Sequence, residues 1–165
     1  MLGTAAVFEE TRSVFFKAML AGYLADKLGE NVTKARNTTG TTTITFRAED
    51  FEVIDRYSVI SPTYSYGITT IFHKNDSVWQ MTYGGHYPKE VIPFLKKVLT
   101  ETYVANDFNG ARGFGMYRDL EQGLWYRNVV NLNAFEKFAG HEEIRKIRTD
   151  ELLGFHEYQG GLLLL

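Results

Sequence analysis

Apolar side chains recur along this chain with two different periods. Between Thr11 and Leu28, Phe15, Phe16, Met19, Leu20, Tyr23 and Leu24 fall at the i, i+3, i+4 spacing that gathers them on one helix face. Gly29 is placed to stop that helix, because the residue after a helix commonly takes left-handed backbone. A second stripe of Val91, Ile92, Leu95, Val98, Leu99 and Tyr103 predicts another helix opening near Pro88, with Pro93 tolerable only near its start. Elsewhere the period is two. Thr43 to Ala48 alternates through Ile44 and Phe46, and Phe51 to Ile60 through Phe51, Val53, Tyr57 and Val59, with Asp55 the polar exception on that face. Ser61-Pro62 breaks the second run. The runs 67–73 and 78–83 flank Lys74-Asn75-Asp76-Ser77 and read as a hairpin. Further strands are expected near 114–118, 124–132, 140–148 and 152–158, whereas the polar stretch 30–42 lacks either period and reads as a loop.

The order of these elements suggests a duplication. Met81-Thr82-Tyr83-Gly84-Gly85 is echoed about 75 residues later by Glu157-Tyr158-Gln159-Gly160-Gly161, and Asp55-Arg56 lies against Tyr126-Arg127, and Gly67 against Gly140. The expected fold is therefore a single α+β domain over 1–165. It would be a pseudo-two-fold tandem repeat of a helix plus about four mostly antiparallel strands, with repeats at about 11–85 and 87–161.

Composition narrows the function classes. Hydrophobic residues at 44% and charged residues at 23% of 165 are globular values. A net charge of −2 leaves no basic excess for a phosphate backbone, so nucleic-acid binding is not expected. No run approaches the ~20 apolar residues of a spanning helix, and Glu9-Glu10 interrupts any signal-length run near the start, so a cytoplasmic protein off the membrane is the expectation. The absence of Cys removes disulfides and thiolate chemistry. Leu162 to Leu165 reads as a last strand packed on the core, with a dimer contact or a frayed tail as the alternatives.

Four short motifs fall in a recognisable order. Val78-Trp79-Gln80-Met81-Thr82-Tyr83-Gly84-Gly85, Ala111-Arg112-Gly113, Phe138-Ala139-Gly140-His141-Glu142-Glu143-Ile144 and Tyr158-Gln159-Gly160-Gly161 together resemble the bacterial DUF5680 domain family. The resemblance spans roughly Phe15 to Leu162. It implies a domain with no established activity, of a kind that stands downstream of helix-turn-helix segments in regulators, hence a sensing or effector module. Thr69 stands where the internal correspondence would place a counterpart of Glu142.

Candidate chemistry is sparse. The histidines at 73, 86, 141 and 156 lack helical metal spacing, so no metal or cofactor is expected. None of the five serines lies in a G-x-S-x-G elbow, and Gly113-Phe114-Gly115 lacks the Lys and helix of a phosphate cradle. Glu142, Glu143, Glu157 and Asp55 offer carboxylates without a fixed separation. The aromatic and Arg positions are better material. Trp79, Tyr83, Trp125, Arg127 and Tyr158, with His86, Arg112 and Glu142, are the candidate ligand-binding set, walling a cleft between the repeats for a small aromatic or anionic ligand. Packing within a sheet is the competing role for the same aromatics. A protein-interaction or homodimerisation module is the second reading, and an uncharacterised enzyme using His86, Arg112 and Glu142 the third.

Overall fold

Alternation of apolar and polar residues becomes a sheet with one buried face. The computed structural model describes residues 4–163. Within them the chain runs α1 (Thr4–Ala21), β1 (Val32–Arg36), β2 (Thr41–Ala48), β3 (Phe51–Val59), β4 (Tyr64–His73) and β5 (Asp76–His86). A 3-10 turn at Lys89–Val91, α2 (Ile92–Val104) and a second turn at Asn109–Ala111 follow. The chain then returns through β6 (Met116–Asp119), β7 (Leu124–Ala134), β8 (Lys137–Lys146) and β9 (Leu152–Leu162). Along β3, Phe51, Val53 and Asp55 point inward, and along β4 Gly67, Thr69 and Ile71 do so. The inner face is closed by both helices, with Phe15 and Phe16 of α1 meeting Tyr103 of α2, and Phe15 meeting Trp79 of β5.

The strands form one antiparallel sheet in the order β1-β2-β3-β4-β5-β9-β8-β7-β6. This corrects the expected tandem repeat of helix plus about four strands. β5 is hydrogen-bonded directly to β9, from Trp79 opposite Leu162 to His86 opposite Phe155, so the backbone donors and acceptors of both strands are satisfied within a single nine-stranded sheet. Five strands precede α2 and four follow it. The recurring Tyr and Gly positions mark places where a ring crosses a neighbouring strand. Gly67 shows why glycine is needed there: a Cβ would sit 2.4 Å from the Tyr83 hydroxyl oxygen.

Several boundaries also differ from the pattern-based expectation. α1 starts earlier and ends at Ala21, and Gly22 packs so closely that a Cβ would press on the Ala18 carbonyl and on Ile44. Gly29 instead donates its N–H to the Ala21 carbonyl at 3.0 Å, folding the chain back under the helix. The stretch read as a loop contains β1, whose residues after Val32 are all exposed; an edge strand with no buried face carries no alternation. The Lys74-Asn75 turn does form, with both residues at positive φ, as a two-residue hairpin with right-handed strand twist requires. Of the Leu162–Leu165 tail, Leu162 pairs with Trp79 at the end of β9 and Leu163 is exposed, while Leu164 and Leu165 lie outside the described residues. No helix among the described residues is long and apolar enough to cross a membrane.

Candidate ligand-binding cavity

A cavity of about 300 Å³ opens between the helices and the inner face of β3, β4, β5 and β9. Its apolar wall is built from Met19, Tyr57, Met81 and Ile92, with Val59 at the end of β3 and Pro62 in the connection to β4. Its polar wall is built from Asp55, Tyr83, Arg112 and His156, and Lys89 and Lys96 complete the lining from the second helical segment.

Register explains how distant residues meet there. Tyr83 on β5 lies opposite Gly67 on β4, and Gly67 opposite Tyr57 on β3. Without a side chain on Gly67, the Tyr83 ring crosses β4 and its hydroxyl donates to Asp55 Oδ1 at 2.8 Å. The Thr69 hydroxyl donates to the same oxygen at 3.0 Å. Burial pushes the Asp55 pKa up, against these two hydrogen bonds and the nearby Arg112, which favour the carboxylate. Burial, then the Asp55 carboxylate it faces, pushes the Tyr83 pKa well above its ordinary value.

Arg112 follows the second 3-10 turn and is buried. Its Nη2 donates to Glu142 Oε1, while Tyr126 donates to Glu142 Oε2 at 2.6 Å and in turn accepts the Gly113 N–H at 2.9 Å. Asn128 ties the same loop down, donating to the carbonyls of Asn109 and Gly113 at 2.9 Å each and accepting from the Tyr158 hydroxyl. Burial alone would raise the Glu142 pKa, but the Arg112 guanidinium beside it holds it at about 2. The ion pair is therefore formed at neutral pH and held from several sides, and the Arg112 guanidinium stands 5.9 Å over the Tyr83 ring. Three buried polar atoms around this wall have no hydrogen-bond partner among the described residues: Arg112 Nε, the Tyr87 hydroxyl and His156 Nδ1, which faces Glu142 Oε1 at 3.4 Å without hydrogen-bond alignment.

This geometry sorts the candidate residues read from the sequence. Tyr83 and Arg112 line the cavity, and Glu142 stands directly behind Arg112. Trp79 does not reach it; the indole is fully buried, stacked on Phe135 and Phe138, and donates to the Phe135 carbonyl at 3.0 Å. Tyr158 is buried against Asn128, and His86 packs on Tyr64 at the end of β5. Trp125 is partly buried on β7, and Arg127 is exposed on the same strand opposite Glu143.

The motifs on this wall have a counterpart among known domains, because a family model described as a domain of unknown function matches residues 58–163. The chain belongs to the DUF5680 family. No curated protein and no solved structure matches it. The matched part of this DUF5680 domain holds Tyr83, Arg112, Glu142 and His156, while Asp55, Tyr57 and the α1 residue Met19 complete the cavity from outside it. In the sequence Asp55 stands out as the polar residue on an apolar strand face and as one of four carboxylates without a fixed separation. Nothing in the spacing of Ser65, Tyr87 and His156 marks them as members of one site, which they share only through strand register.

Proposed function

We propose that this DUF5680 domain is a small-molecule-binding module whose ligand is an organic anion with an apolar or aromatic body. The observation that carries the reading is the cavity wall around Arg112: a buried, ion-paired guanidinium beside tyrosine and methionine side chains, with polar atoms left unpaired. The charge balance supports an anion. Glu142 neutralises Arg112, so Lys89 and Lys96 outweigh Asp55, whose burial favours its neutral form. An organic cation fits less well, because Lys96 already stands 4.8 Å over the Tyr23 ring and Arg112 over Tyr83. Burial, then Lys34, lowers the Lys96 pKa, and a bound anion beside it would act against both by favouring the charged amine.

Isothermal titration with benzoate, phenylacetate and hexanoate tests this. The expected result is saturable one-to-one binding, weakened roughly tenfold in Lys96→Ala, about the worth of one charge-assisted contact, and lost in Ile92→Trp, which fills the apolar wall. Absence of binding by all three probes at millimolar concentration, with the protein folded, would overturn the reading.

A further inference from the structure

One rung of the sheet places a serine, a histidine and a glutamate in series on the cavity wall. Ser65 on β4 pairs with Gly85 on β5, Gly85 with His156 on β9, and His156 with Glu142 on β8. Gly85, at φ +157°, lets β5 approach β9 so closely that a Cβ would lie 2.2 Å from the Phe155 carbonyl oxygen. It also puts no side chain between Ser65 and the imidazole, and Ser65 Oγ reaches His156 Nε2 at 3.4 Å. On its other side His156 Nδ1 faces Glu142 Oε1 at 3.4 Å.

That carboxylate biases the tautomer. Ionised Glu142 favours the proton on Nδ1, 3.4 Å away though not aligned as a hydrogen bond, and that tautomer leaves Nε2 with its lone pair toward the Ser65 hydroxyl. This is the arrangement in which a neutral imidazole removes a hydroxyl proton, at separations that are looser in unliganded sites than in reacting ones. Burial holds the His156 pKa below its ordinary value, against the opposing pull of Glu142, which keeps the ring neutral. Tyr87 packs edge-on against the same imidazole with ring centroids 4.7 Å apart, and its buried hydroxyl has no partner among the described residues. Its backbone N–H bonds the Thr63 carbonyl, two residues from Ser65.

We propose that Ser65, His156 and Glu142 make this cavity an acyl-transfer site that hydrolyses small carboxylic esters. Ser65 Oγ adds to the ester carbonyl carbon as its proton passes to His156 Nε2, and the Tyr87 hydroxyl donates to the developing oxyanion. Collapse breaks the acyl C–O bond, and the departing alcohol takes the proton from His156. Water then adds to the acyl-serine, giving its proton to His156; the Ser65 oxygen leaves, recovers that proton, and the carboxylic acid is released. Glu142 acts as a positioning residue that biases the tautomer. The product is a small carboxylate, so the proposal rests on the anion-binding reading of the same cavity and adds a reaction to it.

The test is p-nitrophenyl acetate turnover together with labelling by an alkyl fluorophosphonate and peptide mass mapping. The expected result is one adduct, on Ser65, with loss of both adduct and turnover, by roughly 100-fold or more, in Ser65→Ala and in His156→Gln. Circular dichroism of each variant establishes that it is folded. Turnover should be flat near neutrality and fall only in acid, as the imidazole becomes protonated within its shell of Glu142, Arg112, Ser65, Tyr83 and Tyr87. An adduct elsewhere, no adduct at all, or turnover unchanged by Ser65→Ala would overturn the proposal. Saturable benzoate binding without any Ser65 adduct would remove the reaction and leave the anion-binding reading standing.

Discussion

Glu142 and Arg112 set the electrostatics of this protein at the scale of single residues. Both are buried, and each is neutralised by the other, so removing either leaves an uncompensated charge in the interior. Arg112→Leu or Glu142→Leu alone should cost about 3–5 kcal/mol, and the double variant should cost clearly less than the sum, which urea denaturation of the four proteins measures. The acid response follows from the same pair. The Glu142 pKa is depressed in the folded state, so its contribution to stability is fully present above the ordinary value of 4.5 and is lost as pH falls from there toward about 2. Glu142→Gln should remove that part of the acid destabilisation, readable as a flatter dependence of the urea midpoint on pH below 4.5. Glu142 was a candidate from its motif, and its burial was not readable, because alternation marks a face without saying that the charge on it has a partner.

Among the elements, the short loop from Asn109 to Gly113 matters most, since it delivers Arg112. It holds Gly110, Asn109 and Ala111 at positive φ, and beside the local turn bonds of the Ala111 and Arg112 N–H groups it is held by tertiary ones: Asn128 to the Asn109 and Gly113 carbonyls, and the Gly110 N–H to Asn133 at 2.8 Å. Asn128→Ala should free two carbonyls and the Tyr158 hydroxyl at a cost of about 1–3 kcal/mol. Amide hydrogen exchange at residues 109–114 should accelerate while α2 keeps its protection. Equal acceleration throughout α2 would show that the loop is not an independent element. The helices and most strands were legible as periods of about four and two. The loop was not, because its conformation is set by side chains on β7.

At the scale of the whole molecule, the junction of β5 and β9 joins everything before α2 to everything after it. With one continuous sheet and one core, thermal or urea unfolding should be a single transition, with far-UV circular dichroism and the fluorescence of buried Trp79 changing together. Two separated transitions would contradict a single cooperative unit. The sequence by itself determined the two helical stripes, the Lys74-Asn75 turn, the family motifs and the candidate status of Tyr83, Arg112 and Glu142, since each depends on spacing within a few residues. Tertiary structure alone decided that the strands form one sheet, that Trp79 is sealed in the core, and that Ser65, His156 and Glu142 share a rung. Strand pairing is non-local: Ser65 and His156 stand 91 residues apart, and only the register of β4, β5 and β9 brings their side chains together.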